Sequence, residues 1–132
     1  MHDNNMTHLL LDAEWEEDST TDILQDEKAT RAVLDTLCEK HRFTVLERVF
    51  HFFVPQGMTC LYLLSESHLS IHTWPERKFC SIDLFCCREL GDDKIREIVS
   101  MLRDHLHLGR IKCHAHPRSF FLQEEEEEEE EI

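Results

Sequence analysis

A chain of 132 residues, 41% of them hydrophobic, supplies one domain with a single core and leaves nothing for a second catalytic domain. Its 28 acids outnumber its 14 Lys and Arg, and setting aside the eight glutamates at 124–131 still leaves 20 acids and a net charge near −6. Because the basic residues are scattered among carboxylates, that balance argues against nucleic acid and against an anionic membrane as partners.

The first seven residues are polar, and the apolar stretch after them is broken at Asp12, so neither a signal peptide nor a membrane span is expected there. Residues 8–13 are short and Leu-rich, which suits a first strand, and the acidic 14–22 reads as a surface loop. From 24 to 41, Ala29, Val33 and Leu37 recur at four-residue spacing, as on one face of a helix. Residues 42–53 are extended and rich in Val, Thr and Phe; Pro55-Gln56-Gly57 stops them, and 59–64 runs on as another strand. Two more strands, 69–73 and 79–85, flank the tight connection Pro75-Glu76-Arg77-Lys78 and complete a meander. Ile95, Ile98, Val99, Leu102 and Leu106 then mark the clearest helix, with Asp92 and Asp93 at its start and Gly109 just past its end. A last strand over 110–116 is closed by Pro117.

Strands grouped in the middle, with helices before and after, give an α+β two-layer sandwich: a four- or five-stranded antiparallel sheet carrying both helices on one face. The other face then needs a cover, and a second copy of the chain in a four-layer α/β/β/α arrangement would provide it. Residues 1–123 form a single domain in this reading, and the self-repelling run in 124–132 reads as a disordered acidic tail. The six cysteines lie mostly inside apolar runs and read as reduced thiols of a cytoplasmic protein.

The segment Ser65-Glu66-Ser67-His68-Leu69-Ser70-Ile71-His72-Thr73-Trp74-Pro75-Glu76 packs hydroxyls, imidazoles, carboxylates and an indole between two apolar strands. A structural role alone would require several buried polar groups to be satisfied at once. The stretch resembles the processing and active-site segment of the short prokaryotic S-adenosylmethionine decarboxylases. That likeness extends upstream to Phe53-Val54-Pro55-Gln56-Gly57 and downstream to Asp83-Leu84-Phe85-Cys86-Cys87.

The resemblance implies a proenzyme that cuts itself between Glu66 and Ser67. Ser67 Oγ attacks the Glu66 carbonyl, the resulting ester eliminates, and the new chain begins with a pyruvoyl cofactor that condenses with a substrate amine as a Schiff base. It further implies His72 as the processing base, Thr59 as the processing hydroxyl and Cys87 as the proton donor to the decarboxylated product. Phe53 and Trp74 would clamp an adenine ring, and Glu76 would accept the ribose hydroxyls. The activity implied is decarboxylation of the small molecule S-adenosylmethionine for spermidine synthesis, by a homodimer of cleaved protomers.

Bland readings stand beside these. Cys86 and Cys87 point to opposite faces of a strand, so only one can serve, and both could be small core residues. Phe53 lies with Phe50 and Phe52 and is equally a core aromatic. Thr59 stands where the family usually has serine. Ser67 and His72 are five residues apart, which places them on opposite faces unless a bulge or turn intervenes around 66–68. The acidic 14–18 stretch would suit a cationic substrate, which keeps ornithine or arginine decarboxylation as an alternative. Two readings of another class are a metal-binding regulator built on His105, His107, Cys113, His114 and His116, and a paralogue that never cleaves.

Overall fold

The structure, a computed structural model, describes residues 5–16 and 23–121. The expected acidic tail and most of the acidic loop after the first strand lie outside the described residues. Strand β1 (Asn5–Trp15) is followed by a 3-10 turn (Ile23–Gln25) and helix α1 (Glu27–Lys40). The meander then runs β2 (Val45–Phe52), β3 (Met58–Leu64), β4 (Ser67–Trp74), a 3-10 turn (Pro75–Arg77) and β5 (Phe79–Cys86). Helix α2 (Asp92–Leu106) and strand β6 (Leu108–Ser119) complete the chain.

All six strands join one antiparallel sheet in the order β2-β3-β4-β5-β1-β6, so the expected four or five strands become six. The α+β class with both helices on one face holds. Strict alternation makes the two faces unlike. From β1 the residues Thr7, Leu9, Leu11 and Ala13 are buried under the helices, as are Met58, Cys60, Tyr62 and Leu64 from β3 and Cys80, Ile82, Leu84 and Cys86 from β5. Leu34 and Leu37 of α1 and Ile98, Leu102 and Leu106 of α2 close over them. The opposite face is bare, with Leu10, Val49, Leu61, Leu63 and Trp74 exposed among polar side chains such as Asp12, His68 and His72.

Three local expectations need correcting. The stripe of α1 that enters the core is Thr30, Leu34, Leu37 and Cys38, and Ala29 and Val33 lie at its margin. Asp26 caps that helix through the Ala29 N–H. The left-handed residue that ends α2 is His107, at φ 58°, so Gly109 belongs to β6 and not to the cap. Pro117 does not stop β6, which pairs with β1 through Ser119. An edge strand tolerates the missing N–H when it faces outward.

Candidate active site

Between β3 and β4 the chain reverses in two residues, Ser65 and Glu66, with Leu64 paired to Ser67. Glu66 takes φ 58°, a left-handed conformation that costs a side-chain-bearing residue about 1 kcal/mol. The bond between Glu66 and Ser67 therefore sits at the exit of a strained tight turn. Ser67, the first residue of β4, is only 6% exposed, and its Oγ accepts a hydrogen bond from the Cys87 N–H at 3.1 Å. Cys87 is exposed just beyond the end of β5, whereas Cys86 is buried in the core, where burial pushes its thiol pKa up.

A cleft of about 480 Å³ opens at this end of the sheet, lined by Glu66, Ser67 and His68 with His8, Phe85 and Arg118. His68 stacks on Phe85 with ring centres 5.7 Å apart, Arg118 lies over the other strand's Phe85 ring at 5.7 Å, and His8 Nε2 stands 3.7 Å from Asp83. The positions of His8, Phe85 and Arg118 could not be read locally. They converge only because β1 inserts between β5 and β6, which sets His8 opposite both Phe85 and His116. The alternation of His8 and Asp12 with buried leucines in β1 was the available signal for their face.

A second group lies at the opposite end. Thr59 Oγ1 and His72 Nδ1 are 3.1 Å apart across the β3–β4 ladder, on the bare face. The His72 ring is 6.4 Å from that of Trp74, which in turn lies 5.7 Å from Phe79. Phe53 leaves β2 through a hydrogen bond from its N–H to the Gly57 carbonyl and remains 50% exposed, packed on His51 with ring centres 4.6 Å apart. It is therefore not a core aromatic; Phe50 and Phe52 fill that role. Gly57, at φ +102°, brings the loop against the Thr73 carbonyl and the Pro75 ring, with the Phe53 ring beside it. Glu76 is exposed in the 3-10 turn that follows.

The eight expected site residues thus fall into two groups. Glu66, Ser67 and Cys87 gather at one end, and Phe53, Thr59, His72, Trp74 and Glu76 at the other. No bulge interrupts β4, so Ser67 faces the helices while His72 faces the bare side. Five strand residues separate them by roughly 17 Å along one sheet. The irregular backbone expected around 66–68 takes the form of the tight turn at Ser65 and Glu66, and it does not unite the two groups.

The histidines and cysteine near the C-terminus are dispersed over α2 and β6. Among the described residues no three His, Cys, Asp or Glu side chains converge on a common point that could hold a metal ion. No described helix is long and apolar enough to cross a membrane.

Comparison with known proteins bears on the same segment. The family model described as S-adenosylmethionine decarboxylase matches residues 7–119. A protein named S-adenosylmethionine decarboxylase proenzyme from Synechococcus is 40% identical over 83% of this chain and 80% of its own length. Its namesake from Parasynechococcus marenigrum is 42% identical over 66% of each chain. One from Clostridium botulinum is 38% identical over 64% of this chain and 72% of its own. The crystal structure of an adenosylmethionine decarboxylase from Aquifex aeolicus superposes with a TM-score of 0.71 at 23% identity, covering 92% of this chain and 97% of that one, which supports the fold. Ornithine and arginine decarboxylation and a non-catalytic role are not favoured by these matches.

Proposed function

Since the chain belongs to the S-adenosylmethionine decarboxylase family, we propose that it is a proenzyme that cleaves itself before Ser67 and then decarboxylates S-adenosylmethionine. The observation that carries this reading is the placement of the Ser67 hydroxyl at the exit of a strained two-residue turn, held by the Cys87 N–H.

Ser67 Oγ forms a bond to the Glu66 carbonyl carbon as the C–N bond breaks, converting peptide to ester. The turn strain at Glu66 favours that exchange. Removal of the residue 67 Cα proton then breaks the Cβ–O bond, so Glu66 leaves as a free carboxylate. The remaining dehydroalanine takes up water and releases ammonia, giving a ketone at the front of the new chain. The residues present fit that group, because the N–H that now holds Ser67 Oγ is a donor of the kind a ketone oxygen accepts, and Cys87 provides a thiol on the same residue. A pyruvoyl group there supplies an electron-accepting carbonyl for loss of carbon dioxide from an amino acid. Cys87 returns the proton to the substrate carbon after carbon dioxide leaves, and Phe53, Trp74 and Glu76 hold the nucleoside.

His72 and Thr59 are too far from Ser67 of the same protomer to touch it. The reading therefore includes a homodimer. Two bare sheet faces packed about a two-fold axis lying between the sheets and across the strands set the cleft that Ser67 lines with His8, His68 and Phe85 in one protomer over the His72 end of the other, so Ser67 at the strand end is reached through that cleft although its side chain is turned toward the helices. The exposed Leu61, Leu63 and Val49 supply the apolar contact. Each site then takes its reactive residue, its turn and its thiol from one chain, and its base, hydroxyl and aromatic clamp from the partner. As a soluble enzyme with reduced thiols it would work in the cytoplasm.

Intact-mass analysis tests the central step. Two chains are expected, one ending at Glu66 and one beginning at residue 67 with a carbonyl that borohydride traps, together with carbon dioxide release from carboxyl-labelled S-adenosylmethionine. One uncut chain in both fresh and aged protein, with nothing for a carbonyl reagent to label, overturns the proposal.

A further inference from the structure

A cavity of about 550 Å³ that none of the eight expected site residues lines opens where α1 ends and α2 begins, bounded by Lys40, His41, Arg42, Arg88 and Lys94. In a chain with twice as many acids as Lys and Arg, five basic side chains around one cavity is a departure from the general balance. Elsewhere, Arg31, Arg48, Arg96 and Arg110 meet carboxylates. Here, among the described residues, Lys40, Arg42, Arg88 and Lys94 make no ion pair. The Arg88 guanidinium donates to the His41 carbonyl and lies over the Phe43 ring at 4.5 Å, which fixes it as a wall of the cavity.

His41 provides a second and independent observation. It is 2% exposed, and neither ring nitrogen finds a hydrogen-bond partner in the protein. A buried imidazole without a partner forfeits interactions worth keeping unless something else supplies them. Burial, with Lys94, Lys40 and Arg88 close by, lowers its pKa, and Glu97 of α2 opposes that shift.

Backbone geometry gives a third. Helix α1 ends in a Schellman arrangement, with the Phe43 N–H bonded to the Cys38 carbonyl at 2.8 Å and the Arg42 N–H directed to that of Glu39. The left-handed position of that motif belongs by preference to glycine, yet Arg42 occupies it at φ 62°. The strain is kept where a glycine would relieve it and would remove one cation from the cavity.

We infer that this cavity is a binding site for a tetrahedral oxyanion of the phosphate class, held by Lys40, Arg42, Arg88 and Lys94 with His41 as the buried wall. Guanidinium and ammonium groups lining one cavity with no carboxylate in its wall suit a multiply charged oxyanion, which Arg holds with two parallel bonds. Arg88 is the residue after Cys87, so an occupant would sit one peptide from the loop that holds Ser67. Binding itself does not depend on the decarboxylase reading.

The test follows the ring proton of His41 by NMR in the full chain at constant ionic strength, with sulfate, which does not titrate near neutrality, and then phosphate as probes, against chloride. Sulfate and phosphate are expected to move the His41 titration saturably to higher pH, while chloride leaves it in place. Lys94→Gln should weaken the apparent affinity by about tenfold. Arg42→Gly should weaken it similarly while raising Tm, an opposition of signs that a purely structural role for Arg42 cannot produce. The inference fails if chloride gives the same shift, if neither oxyanion moves His41, or if both variants bind sulfate as the parent does.

Discussion

Cys86 and Cys87 are neighbours in sequence, and the end of β5 separates them physically. Cys86 shares the core with Cys38, Cys60 and Cys80, where burial pushes the thiols up, to about 11 at Cys38 and about 12 at Cys60 and Cys80. A thiol at those values is ionised at pH 8 in at most about one molecule in a thousand, and only the thiolate reacts. Brief alkylation of native protein with iodoacetamide should therefore modify Cys87 first. Cys113, also exposed but raised by partial burial, should follow, with the other four reacting only after unfolding. Peptide mapping of the alkylated protein checks this, and early labelling of Cys86 would remove the basis for preferring Cys87 as the proton donor.

His41 gives a pH dependence of definite sign. Its folded pKa is lowered from 6.5, chiefly by burial, so the unfolded chain binds more protons in the interval between the two values. The stability it contributes is complete above pH 6.5 and is lost as pH falls through the lower folded value. In a low-phosphate buffer, denaturant midpoints measured from pH 7.5 down to 4.5 should fall less steeply for His41→Gln than for the parent. Identical slopes would show that His41 is not the buried neutral group described.

Among the elements, α1 shows how much the sequence reveals. Its four-residue recurrence identified a helix in the right place, yet the stripe lay one position off because Thr30 is a polar residue in the core. Its hydroxyl donates to the Ile23 carbonyl at 2.6 Å, a contact with the turn before the helix that no periodicity contains. Every strand of the meander was legible from composition and turn chemistry, whereas the seating of β1 between β5 and β6 was not. That seating depends on contacts between segments some seventy and a hundred residues apart. The segment 65–76 stood out by its residue types and took its proposed role from the family resemblance, while its division into two distant groups appeared only with the uninterrupted register of β4.

The helix is tied to the sheet through Asp35, which accepts from the Tyr62 hydroxyl at 2.6 Å and from Arg48 Nε at 2.9 Å. Tyr62 is fully buried and lies at the centre of the core face. Tyr62→Phe keeps the ring and removes the bond, so a loss of about 1–2 kcal/mol is expected, larger than for a neutral pair because the acceptor is charged. Asp26→Ala removes the N-cap of the same helix and should cost about 1 kcal/mol. The two sites sit on opposite ends of contacts with no shared partner, so the double variant should lose the sum. Urea unfolding measures all three, and a Tyr62→Phe protein as stable as the parent would mean that the hydroxyl adds nothing to the hold of Arg48 and the apolar packing.

At the scale of the whole molecule, one sheet carries the two groups of proposed site residues at its two ends. If each site joins the Ser67 end of one chain to the His72 end of another, the two halves can be disabled separately and restored by mixing. Ser67→Ala leaves a chain that cannot cut itself and still offers His72 to a partner. His72→Ala leaves a chain with its own Ser67 and nothing to take the proton. Each variant alone should remain largely uncut. Co-expressed with distinguishable tags, they form mixed dimers in which one of the two sites is whole, so His72→Ala chains should appear cleaved in the mixture while Ser67→Ala chains stay intact. Cleavage confined to one tagged chain is a result that neither an intramolecular site nor partial activity of either variant reproduces. Leu63→Glu, placed on the bare face, should separate the protomers in sedimentation and abolish the restoration, because a buried unpaired carboxylate opposes the sheet-to-sheet contact. A mixture in which both chains remain uncut, with mixed dimers shown to be present, would place the processing base within the same protomer as Ser67 and turn attention to His8 and His68, the imidazoles that line its cleft.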